Sequence, residues 1–161
     1  MKIALGADHA GFPLKHYVSE QIQALGHDVI DCGTDSEDPV DFPDIVQRTC
    51  SLVLQATADR AVLVCGSGAG AVMAANKMAG IRCTLAHEPY SAHQGVEHDD
   101  ANVIAMGYWL VGRALVPDIL RGFFEARFND DEDTRRRVAK MHELELASAR
   151  RLASPGTASS I

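Results

Sequence analysis

Residues 61–77 read AVLVCGSGAGAVMAANK, and this stretch decides the fold. Ala61 to Val64 is an apolar run suited to a strand buried on both faces. Cys65 closes the run. Gly66, Gly68 and Gly70 follow, with Ser67 and Ala69 between them, and Ala71 to Lys77 supplies good helix formers. Strand, glycine turn and helix start make an anion site in an α/β fold. Glycine lets the backbone approach a ligand, and the first helical N–H groups are unpaired and carry the positive end of the dipole. A thiol in that place meets the same N–H groups, which lower its pKa.

Working outward, strands and helices alternate. Lys2 to Gly6 reads as a strand, followed by ADHAG at 7–11 and a helix opened by Pro13 with Leu14, Val18, Ile22 and Leu25 at helical spacing. His27 to Cys32 reads as the second strand. A helix from Phe42-Pro43 then carries Ile45, Thr49, Leu52 and Ala56 on one face. After the glycine loop the third helix runs to Gly80. Arg82 to Ala86 is the fourth strand, Pro89 to about His98 a helix, Asn102 to Met106 the fifth strand, and Gly112 to Phe128 a helix. Alternation of this kind implies βαβ units, right-handed crossovers and a parallel sheet of about five strands with flanking helices. Ligands of such sheets sit at the carboxyl ends of the strands. That places Asp8, His9, the Cys65 loop and the residues after the fourth strand on one rim.

An acidic run, Asn129 to Asp133, precedes Arg135-Arg136-Arg137 and a long terminal helix at about 132–152. Its stripe of Val138, Met141, Leu144 and Leu152, with Ser148 tolerated inside it, suits docking on the domain itself or on a second subunit. We expect one domain over 1–153 and a disordered tail over 154–161.

The formal net charge of −7 argues against nucleic acid or an anionic membrane as a partner. Met1-Lys2 runs straight into a strand, so no leader is expected, and no apolar run reaches membrane-spanning length. Cys32, Cys50, Cys65 and Cys83 form no CxxC pair. Zinc and redox-motif readings are therefore weak, free thiols in a reducing cytoplasm are the plain inference, and no cofactor is expected.

Cys65 reads either as a small buried hydrophobe or as a reactive thiol. The other three cysteines read as core. Asp8-His9 reads either as a helix cap with a surface histidine or as a ligand pair. His98 taken alone reads as solvated surface, and the 135–137 arginines as a solvated face or a phosphate clamp. GSGAGA at 66–71 also fits a loose dinucleotide fingerprint, with Glu88 at a suitable distance. Against that reading, the loop follows the third strand rather than the first.

Several segments together resemble one family. GADHAG at 6–11, CGSGAG at 65–70, AANKMAGIR at 74–82, EPYSA at 88–92 and HDDANV at 98–103 are similar to ribose-5-phosphate isomerase B, whose family also holds the subunits of galactose-6-phosphate isomerase. The resemblance spans about residues 2–145. It implies a Rossmann-like homodimer, with a dimer of dimers as the larger alternative, and active sites at the subunit interface. It implies metal-free aldose–ketose isomerisation of a sugar phosphate, most simply ribose 5-phosphate. Cys65 matches the family's base, which works through a cis-enediolate. His98 matches the acid that opens the furanose ring. Asp8, His9, Gly66, Ser67, Gly68, Ala69, Gly70, Asp99 and Arg137 match substrate-binding positions, and Arg136 and Arg113 are further candidates.

The chain departs from the family pattern at three places. Asp99 stands where the family has asparagine, Trp109 where it has arginine, and Asp133 (Glu132 in a register shifted by one) where it has a second arginine. The resemblance then implies a weaker hold on phosphate, with Asp99 adding negative charge to the Cys65 rim and the Trp109 indole lying against a sugar. An isomerase of another sugar, shorter or unphosphorylated, is the alternative within the class. A nucleotide-binding module without chemistry is the alternative outside it.

Overall fold

A computed structural model describes residues 1–154. Five parallel strands form one sheet: β1 (Lys2–Ala7), β2 (Asp28–Asp31), β3 (Arg60–Cys65), β4 (Cys83–Leu85) and β5 (Val103–Gly107), in the order β2-β1-β3-β5-β4. Between them run α1 (Phe12–Ala24), α2 (Phe42–Leu54), α3 (Ala69–Ala75) and α4 (Pro89–Asp99), and α5 (Val116–Glu125) follows β5. Chain direction across the sheet reverses between β1 and β3. That crevice, outside the strands' carboxyl ends, is where such sheets take ligands.

The three central strands are buried on both faces, so each side chain must serve one of two cores. Ile3, Leu5, Val62, Val64, Ile104 and Met106 pack with α1, α4 and α5. The alternate residues Ala4, Ala61, Leu63, Val103 and Ala105 pack with α2 and α3. The period-two split follows from the pleat. Small residues on the second face let the short α3 lie close to the sheet. Fully burying each Leu, Ile or Phe contributes about 1.5–3 kcal/mol, and Phe123 of α5 is the bulkiest of these.

Three element readings are corrected. On α2 the buried residues are Ile45, Val46, Thr49 and Cys50, whereas Leu52 is half-buried. Ala56 lies past the helix end with φ of +54°. The helix after β5 begins at Val116 behind a single 3-10 turn, Arg113–Leu115, because Pro117 has no N–H to give and fits only the first turn. α3 starts at Ala69 and stops at Ala75, short of the expected end, and Gly80, with φ of +86°, belongs to the turn into β4.

All four cysteines are free. Burial pushes the Cys50 thiol up to about 12 and Cys83 far above its ordinary value, so both act as core side chains. No helix among the described residues is long and apolar enough to cross a membrane.

The chain divides into two compact units, Met1–Phe128 and Asn129–Ile161. The second holds α6 (Glu132–Ala153). Asp131 caps it by accepting the Thr134 N–H at 2.8 Å, and Glu132 and Asp133 sit in its first turn, where the dipole favours acid. Leu144 and Leu152 of the expected stripe are 71% and 74% exposed. The tail expected from Ser154 lies, beyond Ser154 itself, outside the described residues.

Candidate active site

Cys65 is the last residue of β3, and Asp8 follows the end of β1, the strand paired beside it. The two loops are locked together by backbone. Asp8 N–H donates to the Val64 carbonyl at 3.3 Å, and Gly11 N–H donates to Asp8 Oδ1 at 2.8 Å. A Cβ on Gly11 would lie 2.2 Å from the Val64 carbonyl oxygen, so only glycine lets the chain pass this close to Cys65. Asp8 is 5% exposed, and its carboxylate accepts a hydrogen bond from the Cys65 thiol.

The expected lowering of the Cys65 pKa is corrected. Burial, then the hydrogen bond and charge of Asp8, push the thiol above its ordinary value, while the backbone N–H groups of Gly66 and Gly68 pull it down. The N–H bias foreseen from the loop is present, but in the ligand-free chain desolvation and an adjacent anion outweigh it. α3 is also only seven residues long, so its dipole is small.

The loop itself holds Gly66, Ser67, Gly68, Ala69 and Gly70. Gly68 has φ of +81°, which points successive N–H groups toward one side. Ser67 Oγ accepts the Ala69 N–H at 3.4 Å. The Trp109 ring lies over the loop: a Cβ on Gly66 would stand 2.7 Å from the indole Cη2. Trp109 is 70% exposed, so this is a wall on the rim rather than core. His9 Nδ1 accepts the Val40 N–H at 3.2 Å, which places the proton of the neutral ring on Nε2, a donor.

The structure brings Asp8, Cys65, Gly66 to Gly70 and Trp109 together and keeps other expected residues apart. α4 carries the chain back across the sheet, so His98 and Asp99 lie near the strands' amino ends. The edge is fixed by neighbours: Arg82, just before β4, donates to the Asp100 carbonyl at 2.6 Å, and the Asn102 carbonyl accepts the Ala61 N–H at 3.0 Å near the start of β3. Asp99 therefore adds no charge to the Cys65 rim of its own chain, contrary to expectation. His98 is exposed and lies 3.7 Å from Glu97.

Arg113 stacks over the Tyr17 ring at 5.4 Å. Arg136 and Arg137 belong to the second unit, where both meet Asp133, at 2.6 and 3.7 Å. In the first unit every arginine is already engaged. Arg48 donates to the Cys32 and Gly33 carbonyls, Arg60 to Phe123, and Arg127 to Phe124 and Ala126. Arg82 pairs with Asp100 and Arg121 with Asp118. Glu88, the acid of the dinucleotide reading, instead caps α4 by accepting the Tyr90 and Ser91 N–H groups.

Two residues of this region escaped the sequence reading. Lys15 is 7% exposed and pins the loop after β2 through Asp31 at 2.8 Å and the Thr34 carbonyl at 2.7 Å. Its spacing to Val18 and Ile22 put it on the buried stripe, which was the available signal. His87 accepts the Gly107 N–H at 3.1 Å, and nothing in its sequence neighbourhood marked it.

The sequence model of the family described as Ribose/Galactose Isomerase matches residues 3–141. Ribose-5-phosphate isomerase B of Escherichia coli is 40% identical over 127 residues, covering 79% of this chain and 85% of that protein. D-erythrulose-4-phosphate isomerase of Pectobacterium atrosepticum is 33% identical over 130 residues, covering 80% and 85%. The solved structure of Clostridium thermocellum ribose-5-phosphate isomerase B superposes with a TM-score of 0.88 at 36% identity, covering 92% of this chain and 99% of that one.

The geometry makes the charge of Asp8 the adjustable part of the site. Asp8→Asn should shift the acidic limb of the kcat/KM–pH profile, where a protonated base loses activity, to lower pH, because removing the anion stabilises the thiolate. A limb that stays in place would show that Asp8 does not set the state of Cys65.

Proposed function

The chain belongs to the ribose/galactose isomerase family, and from that premise we propose that it interconverts ribose 5-phosphate and ribulose 5-phosphate with Cys65 as the base. It is an aldose–ketose isomerase of the sugar-phosphate class that this family comprises. The observation that carries the assignment of the base is the half-buried Cys65 thiol, held between the Asp8 carboxylate and the N–H groups of Gly66 and Gly68. The choice of ribose 5-phosphate is supported by the Escherichia coli relative, the more alike of the two relatives above.

In this reading an open-chain aldose binds with its C1 and C2 oxygens over the glycine loop. A substrate hydroxyl takes up the Asp8 carboxylate, which frees the thiol of its acceptor and lets it ionise. Cys65 removes the proton from C2, the electron pair forms the C1–C2 double bond, and negative charge passes to the C1 oxygen. Loop N–H groups hold that oxyanion. A proton moves from the C2 to the C1 oxygen, and the Cys65 thiol, which exchanges with solvent in the interval, delivers a proton to C1 to leave the ketose. His9 Nε2–H donates to the substrate.

His98 is proposed as the acid for ring opening, and it cannot serve the Cys65 of its own chain from the opposite edge of the sheet. A homodimer in which each site takes Cys65 from one copy and His98 from the other resolves this. The exposed Leu144 and Leu152 of α6 suit such an interface.

Trp109 favours a second reading. With an uncharged indole over the loop and the first unit's arginines engaged elsewhere, the Cys65 rim offers no free arginine to a phosphate, and a shorter or unphosphorylated sugar becomes the competing substrate. A turnover panel of ribose 5-phosphate, a tetrose phosphate and free ribose decides. The proposal expects ribose 5-phosphate to be preferred, with KM within about 1 μM–1 mM, and Cys65→Ala to lose roughly 10²-fold or more in kcat. Preference for another sugar by tenfold, with Trp109→Arg improving ribose 5-phosphate, would establish the second reading.

Coexpression of Cys65→Ala with His98→Ala tests the shared site. If sites are shared, random pairing regenerates one intact site in each mixed dimer, and about a quarter of wild-type activity returns. Sites built within one chain give no recovery.

A further inference from the structure

We propose that His87 is a positioning residue for this isomerase: its ring nitrogen fixes the end of β5, and β5 in turn fixes the peptide units of Cys65 and Gly66. The proposal rests on the reading of Cys65 as the base.

The need for such a residue arises from strand lengths. Ala86 N–H donates to the Ala105 carbonyl at 2.9 Å, the last main-chain rung between the β4 edge and β5. β4 has ended at Leu85, but β5 continues to Gly107, whose buried N–H faces the edge that β4 has left. His87 Nε2 accepts that N–H at 3.1 Å. The imidazole thus supplies the missing rung. A backbone N–H only donates, so the ring nitrogen facing it is unprotonated and the other carries the proton of the neutral ring.

Gly107 is well placed to transmit this constraint. It is the register partner of Cys65 across β3 and β5. A Cβ on it would lie 2.7 Å from the Ser67 carbonyl, so the strand end is pressed against the glycine loop. The next two residues grip the site directly: Tyr108 N–H donates to the Cys65 carbonyl at 2.9 Å and Trp109 N–H to the Gly66 carbonyl at 3.1 Å. Leu110 and Val111 N–H groups close the turn on the Gly107 carbonyl at 3.0 and 2.9 Å. Without the His87 acceptor, Gly107 keeps a buried donor with no partner. The segment relieves it by moving toward water, and the Cys65 and Gly66 carbonyls lose their fixed partners.

The test compares His87→Ala and His87→Gln with wild type by amide hydrogen exchange over residues 107–109 and by steady-state kinetics with ribose 5-phosphate. The glutamine Oε1 stands near the place of the imidazole Nε2 and accepts the same N–H. His87→Ala should speed exchange at Tyr108 and Trp109 at least about tenfold. It should lower kcat by about tenfold or more with KM within about threefold, since the displaced base and loop N–H groups act on the transition state more than on the bound substrate. His87→Gln should restore both. Unchanged exchange in His87→Ala overturns the proposal, as does faster exchange with unchanged kcat, which is a structural role only. A folded His87→Gln that fails to rescue overturns the hydrogen bond as the cause. A wild type inactive on every sugar phosphate counts against the proposed reaction, whereas unchanged exchange in an active wild type counts against His87 alone.

Discussion

Three successive carbonyls, those of Val64, Cys65 and Gly66, are each held by an N–H from a neighbouring strand end: Asp8 at 3.3 Å, Tyr108 at 2.9 Å and Trp109 at 3.1 Å. Everything proposed for the site depends on this fixing of the β3 terminus from both sides. β1 brings Asp8 on one flank and β5 brings the Trp109 turn on the other, because the strand order puts β3 between them. The chain between Cys65 and α3 then has little freedom left, and the positive φ of Gly68 completes its turn. A base for proton transfer between adjacent carbons must stay within hydrogen-bond reach of both. A side chain on a fixed strand end meets that condition better than one on a free loop.

Much of this was legible in the sequence. The apolar run at 61–64, the glycines after it and the alternation of strands with helices fix a parallel sheet, and ligand binding at the strands' carboxyl ends follows from that class. Asp8 and the Cys65 loop are brought together as that rule requires. What was not legible depended on neighbours distant in sequence. The thiol pKa reversed direction because burial and then Asp8, 57 positions away in the chain, outweigh the loop N–H groups. His87 looked like any polar residue after a short strand, since its role exists only where β5 outruns β4. The length of α4, which carries Asp99 away from the Cys65 rim, is itself readable from Pro89 to Asp99, and a helix of that length returns the chain to the strands' amino ends.

That crossing has a larger consequence. Eleven residues of α4 at about 1.5 Å per residue separate the two edges by roughly 16 Å. The proposed base and the proposed ring-opening acid therefore occupy opposite ends of one chain. In the proposed reaction a single copy offers half a site at each edge, and the proposed homodimer is what brings the two halves together. Arginines of both units are occupied: those of the first by internal carbonyls, carboxylates and the Tyr17 ring, and Arg135, Arg136 and Arg137 by Asp130 and Asp133. Trp109 marks where this chain has altered the arrangement, with an apolar wall where the family resemblance leads one to expect a cation.

The central claim is that the Cys65 thiol, once ionised, carries the proton between C1 and C2. The most direct measurement is isomerisation of ribose 5-phosphate in deuterium oxide, stopped at partial conversion, with carbon-bound deuterium measured in product and recovered substrate. A single thiol exchanging with solvent between steps leaves deuterium at C1 of the ketose and C2 of the recovered aldose, and Cys65→Ser abolishes it. Deuterium incorporation that persists at the wild-type rate in Cys65→Ser would contradict the account and assign the proton transfer to another group.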